Sequence, residues 1–189
     1  MYKICQTEQS SKRQRSIENG LLELMLKHRY EDISISDLCA YLQIPRKTFY
    51  RYFSGKDGAL YALLDHTMVD FQISEGAPIQ SVANAPEELN RFFTFWYEHD
   101  MLLNALQRSG LSGMLVERAT SFALSEKMMP RYMLSWDTHY QTIAMSFTIC
   151  GLMSMVIQWH HQRFQQTPQE MTKIATTMLT RPLLTTEPV

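Results

Sequence analysis

Residues Ser34 to Phe53 read SISDLCAYLQIPRKTFYRYF, and this stretch decides the fold. Ser34 is placed to cap a helix, and Asp37 three residues later closes a weak form of the capping box. Ile35, Leu38, Cys39 and Leu42 follow at i, i+3, i+4 and i+7, one buried helical stripe. Pro45 suits a helix start, where its missing N–H would have no partner anyway. Arg46, Lys47, Thr48, Tyr50, Arg51 and Tyr52 then crowd a second helix, and apolar Phe49 and Phe53 hold it on its support. A short helix that is apolar on one side and rich in donors on the other meets the requirement for reading a major groove. The stretch predicts a helix-turn-helix.

Working outward, a first helix is expected from Ser10 or Ser11 to His28, with Ile17, Leu21, Leu24 and Met25 buried. Lys12, Arg13 and Arg15 crowd its N-terminal end, where cations oppose the helix dipole. Contact with phosphate is one reason to keep them there; an exposed basic tail is the other. A fourth helix from Lys56 or Asp57 to Ser74 carries Leu60, Leu63, Leu64, Met68 and Phe71. Gly76 to Pro86 has loop composition. Helices follow from Pro86 to His99, Met101 to Ser109 and Leu111 to Leu124, before Pro130 breaks the chain. A helix is expected from about Thr138 to Phe164, charge-free from Thr138 to Gln162. Thr167-Pro168-Gln169-Glu170 then opens a last helix through Met171, Ile174, Ala175, Met178 and Leu179, ended by Pro182. No segment alternates like a strand, so the chain is read as all-α.

Net charge is −1, but it is unevenly placed. Residues 1–60 hold ten Lys/Arg against seven Asp/Glu, and residues 61–189 hold eight against twelve. The positive excess lies with the helix-turn-helix, as attraction to phosphate requires. Cys5, Cys39 and Cys150 are far apart with no Cys-x-x-Cys pair, which suits a reducing cytoplasm. No apolar run precedes the basic residues of the N-terminus, so no secretory signal is read there. Ile143 to Trp159 is mostly apolar, but polar residues recur through it and no second span pairs with it. A helix buried on nearly all sides, partly by another subunit, explains it better than a membrane does.

Enzyme readings find little support. Glu98, His99 and Asp100 are consecutive, and neighbours on a helix point apart by about 100°. Adjacent His160 and His161 cannot share a metal in a regular helix, and His139 has no ligand at helical spacing. There is no phosphate loop, nucleophile elbow or Cys/His cluster. No catalysis, metal or cofactor is expected.

The segment from about residue 12 to 64 resembles the DNA-binding signature of the TetR/AcrR (tetracycline-repressor) family of bacterial regulators. Tyr30, Ile33, Ser34, Ile35, Leu38, Ile44, Thr48, Phe49, Tyr50, Tyr52, Phe53, Lys56 and Leu60 carry the resemblance. Three positions depart from it. Arg29 and Gln43 stand where the family usually has Gly, and Pro45 replaces a capping Ser or Thr. If residue 43 is left-handed, Gln costs about 1 kcal/mol relative to Gly.

The resemblance implies a three-helix DNA-binding domain over residues 1–56, a linking helix over 57–74, and a helical effector-binding and dimerisation domain over 75–189. Tyr50, Tyr52 and Lys56 are expected to grip phosphates; Arg46, Lys47 and Thr48 are expected toward base edges, with Ser34 at the interface. Partners are duplex operator DNA, a second copy of the chain, and a small apolar or aromatic effector that releases a repressor. Met and aromatic residues concentrate in the second half, and a Met-rich interior re-packs around apolar guests. Aromatic clustering nominates Phe95, Trp96, Leu106, Met114, Phe122, Trp136 and Tyr140 as pocket walls. The dimer is expected through the charge-free and last helices, where Ala144, Gly151 and Ser154 permit close approach and Met155, Met171 and Met178 fill gaps. The alternatives are a regulator without a small-molecule effector and a protein-interaction adaptor that has lost operator binding.

Overall fold

A computed structural model describes all residues except Ile4, Gln6, 76–83, 126–134, Trp136 and 181–189. Most of the expected loop at Gly76–Pro86, the break at Pro130 and the stop at Pro182 therefore lie outside the described residues. Among those described there are nine α-helices and no strand. They are α1 (Glu8–Met25), α2 (Ile35–Tyr41), α3 (Arg46–Tyr52), α4 (Lys56–Glu75), α5 (Ala85–Glu98), α6 (Asp100–Arg108), α7 (Ser112–Ala123), α8 (Thr138–His161) and α9 (Pro168–Thr180). One 3₁₀ turn, Tyr30–Asp32, joins α1 to α2. The chain is all-α.

It divides into two compact units. One comprises Met1–Asp70 with Met101–Ala119, the other Phe71–Asp100 with Thr120–Val189. Residues 101–119 thus pack with the first unit, although by sequence they were grouped with the second domain.

In the first unit the α1 stripe is buried as expected, with Ile17, Leu21, Leu24 and Met25 all at 7% exposure or less. Helix α1 starts at Glu8, earlier than the Ser10 expectation, because Thr7 caps it and accepts from the Ser10 N–H. At Gly20 a side chain would collide with Leu42, as a built Cβ comes within 2.6 Å of it. That close approach lets α1 and α2 pack. Buried Glu18 accepts from His66 Nδ1 at 2.8 Å, tying α1 to α4. The Arg118 guanidinium forks onto Asp65, which also accepts from the Tyr2 hydroxyl at 2.7 Å.

In the second unit, α5 packs on α9, and Phe92, Phe93, Phe95 and Trp96 fill the centre. Phe93 meets Trp159 of α8 edge-on at 5.8 Å. Asp137 caps α8 by accepting from the His139 and Tyr140 N–H groups. The helix stops at His161, short of the expected Phe164, because Arg163 and Phe164 turn left-handed. Thr167 and Glu170 form the reciprocal cap expected at α9. Helix α8 is long and apolar enough to cross a membrane by length and composition.

Candidate nucleic-acid interface

The helix-turn-helix is built by short-range chemistry. Ser34 and Asp37 form the full capping box: Ser34 Oγ accepts from the Asp37 N–H, and the Asp37 carboxylate accepts from the Ser34 N–H at 2.9 Å. Hydrogen bonds from Ser34 hold the Asp37 carboxyl below its ordinary pKa. Helix α2 closes when Gln43 N–H donates to Ala40 O and Ile44 N–H to Cys39 O, with Gln43 at φ 52°. The left-handed site anticipated at residue 43 is therefore present, occupied by Gln. Arg29 keeps ordinary extended angles, so losing Gly there leaves no strain. Pro45 sits one position before the helix rather than inside it, and no side chain caps α3.

On α3, Phe49 and Phe53 are buried at 0% and 1% exposure, 5.3 Å apart, and fix the helix to its support. Arg46, Lys47, Tyr50 and Arg51 are exposed. The Arg46 guanidinium lies over the Tyr50 ring and donates to its hydroxyl at 3.4 Å. Thr48 is half-buried, and Tyr52, expected at a phosphate, is instead buried at 8% exposure beside Phe53. Both Thr48 and Tyr52 line a groove of ≈ 510 Å³ between α3 and the start of α1, with Gln9, Ser10, Arg13 and Arg51 among the other walls.

Lys56 is placed differently from the expectation that it grips phosphate. Its ammonium turns inward, donating to Ile33 O at 2.6 Å and to Tyr30 O, and lies 4.2 Å from the Tyr30 ring centre. Burial lowers its pKa, partly offset by Asp57, Asp32 and Glu31. Tyr30 in turn donates to Asp57 at 2.6 Å; burial first, and this hydrogen bond second, raise its pKa. Lys56 thus clamps the turn that leads into α2.

The residues nominated as pocket walls are not gathered in one unit. Leu106 and Met114 belong to the first. Phe95, Trp96, Phe122 and Tyr140 belong to the second, where Tyr140 is 60% exposed, and Trp136 lies outside the described residues. Of the dimer candidates, Gly151, Ser154, Met155, Met171 and Met178 line one apolar groove of ≈ 380 Å³ between α8 and α9, whereas Ala144 is not among its walls and packs on the Ala123–Met145 cluster. Sequence reasoning missed Arg51 as a groove wall and the approach of His160 Nε2 to Asp100 at 3.3 Å. Both depend on packing between segments distant in sequence. Among the described residues no group of three or more His, Cys, Asp or Glu could hold a metal ion.

No protein-family model and no curated protein matches this sequence. Solved structures do match in fold. A TetR transcriptional regulator from Streptococcus agalactiae aligns with a TM-score of 0.66 at 19% identity, covering 92% of this chain and 96% of that one. A tetR-family transcriptional regulator from Streptomyces coelicolor aligns with a TM-score of 0.56 at 20% identity, covering 87% and 78%. The dihydroxyacetone kinase operon activator DhaS aligns with a TM-score of 0.59 at 14% identity, covering 88% and 93%. From capped helix-turn-helix to apolar α8–α9 pair, the chain has the fold of the TetR-type transcriptional regulators.

Proposed function

We propose that this protein is a cytoplasmic, DNA-binding transcriptional regulator that reads a specific duplex operator with α2 and α3. The division of α3 carries the reading: Phe49 and Phe53 are buried while Arg46, Lys47, Tyr50 and Arg51 face solvent. An adaptor that had lost operator binding would have no need for this set of donors. Arg46 and Lys47 reach base edges, Tyr50 holds a phosphate, and Ser34 and Lys56 position the helices behind them. The protein acts as a homodimer through α8 and α9, matching a two-fold operator.

Repression follows if the dimer covers a promoter and blocks polymerase. A neighbour in fold is named an operon activator, so a reporter that falls on deletion of the gene would assign activation instead. An apolar or aromatic effector in the second half weakens operator binding. The Met and aromatic enrichment there supports this reading.

The test is fluorescence anisotropy on an operator selected from a random duplex pool. Lys47→Ala should cost about 1–3 kcal/mol and relax one operator position, while Tyr50→Ala should weaken all duplexes about equally. Unchanged affinity in both variants would sink this docking. An effector must raise the operator Kd, and operator must weaken effector binding by the same factor. A ligand whose binding ignores the operator would remove that part of the reading.

A further inference from the structure

We propose that the groove between the start of α1 and helix α3 seats a backbone phosphodiester of the bound DNA, held between Arg13 and Arg51. The proposal rests on the DNA-binding reading and extends the interface to α1. The groove measures ≈ 510 Å³, and its walls include Arg13, Arg51, Gln43 and Thr48 but no acidic residue.

The three cations that open α1 have different occupations. Lys12 pairs with Glu8 at 2.6 Å, and Arg15 forks onto Asp70 with both bonds at 2.8 Å. Arg13 alone of the three lines this groove, and among the described residues neither it nor Arg51 has a hydrogen bond or ion pair. Two guanidiniums without an ion-pair partner, on a groove whose walls hold no carboxylate, leave a positive site that an anion can neutralise. Their planar forks suit phosphate oxygens. The Thr48 hydroxyl and Gln43 amide add neutral hydrogen-bonding groups beside them. Gln43 holds a left-handed conformation at φ 52° that Gly would adopt without strain, and only a longer residue puts an amide on this wall.

The source of the phosphate follows from the helix. Thr48, Arg51 and Tyr52 line the flank of α3 along the groove, and Arg51, one turn from Lys47, stands at the edge between this flank and the exposed face that carries Lys47. A helix in the major groove runs between two phosphate ridges about 12 Å apart. A cationic groove along its flank is therefore set to take one ridge while the other face reads bases.

The experiment measures affinity of the full chain against salt, on a mixed-sequence duplex of about two helical turns. Arg13→Gln and Arg51→Gln should each flatten the slope of log K against log salt by about 0.9. Each should weaken operator and mixed duplex by the same factor, leaving their ratio unchanged. Lys12→Gln, on the same helix but paired with Glu8, should keep the parental slope. A parental slope in either arginine variant overturns the groove assignment. A parent chain that binds neither duplex overturns the DNA-binding reading instead. Inorganic phosphate that shifts the Arg13 and Arg51 side-chain NMR signals, when duplex DNA does not, would assign the groove to a free anion and overturn the proposal.

Discussion

Three helix ends close by the same pair of hydrogen bonds but place different residues at the left-handed site. After α6 the residue is Gly110 at φ 66°, with Gly110 N–H donating to Gln107 O and Leu111 N–H to Leu106 O. After α2 it is Gln43 at φ 52°, and after α8 it is Arg163 at φ 58°, followed by Phe164 at φ 52°. Glycine accepts this conformation freely, whereas an L side chain crowds its own carbonyl. Phe164 is compensated by its ring, which packs on Trp159 at 4.6 Å. Gln43 is exposed and has no hydrogen-bond partner for its side chain among the described residues. Gln43→Gly should therefore stabilise the protein by up to about 1 kcal/mol, a rise of about 2–4 °C in Tm. Calorimetry checks it; an unchanged or lower Tm would mean the site is not strained. If the amide serves DNA, the more stable variant should also bind duplex more weakly.

Helix boundaries and caps were legible in the sequence where the chemistry is local. The Ser34–Asp37 and Thr167–Glu170 boxes, the α1 stripe and the Phe49/Phe53 anchor all connect residues within a turn or two, so spacing alone finds them. What stayed hidden depends on segments far apart. Lys56 reads by sequence as a phosphate contact, yet the carbonyls of the Tyr30–Ile33 turn, more than twenty residues upstream, turn its ammonium inward. The two positions make opposite predictions. As a clamp, Lys56→Met should destabilise by about 1.5–3 kcal/mol, toward the lower end because the site is partly exposed, and should leave the salt slope of DNA binding parental. Urea unfolding and a salt titration on the same variant decide. A slope flattened by about 0.9 with stability unchanged would return Lys56 to the phosphate backbone. That Arg13 and Arg51 line one groove was hidden for the same reason, since 38 positions separate them in the chain.

At the scale of the molecule, α8 poses the question of what covers it. The sequence implies a helix buried on nearly all sides, yet in the single chain only 28% of its most apolar stretch is buried. Ile143 and Phe147 are 54% and 71% exposed on α8, and Ile174, Met178 and Leu179 are 42–47% exposed on α9. A membrane is a poor cover: Ser154 and Gln158 stand in the groove beside these residues, and the neighbouring α9 carries Glu170 and Lys173. A second copy is a better one. The groove between α8 and α9 is lined by Gly151, Met155, Met171 and Met178, and a Cβ built on Gly151 meets nothing within 4 Å, so a partner's side chain has room to enter. An isologous pairing gives each copy the same groove and the same exposed apolar residues, and it supplies the two-fold symmetry that paired half-sites require. Sedimentation at micromolar concentration should give a species of twice 22.1 kDa. Gly151→Arg should convert it to monomer while circular dichroism keeps the helical signal, because that position is open in the single chain. A stable 22.1 kDa species from the parent chain would remove the dimer altogether. A Gly151→Arg protein that stayed dimeric would move the interface to another face. Since each half-site contributes its own contacts, the monomeric variant should also lose most of its operator affinity and keep only the salt-sensitive binding of a single head.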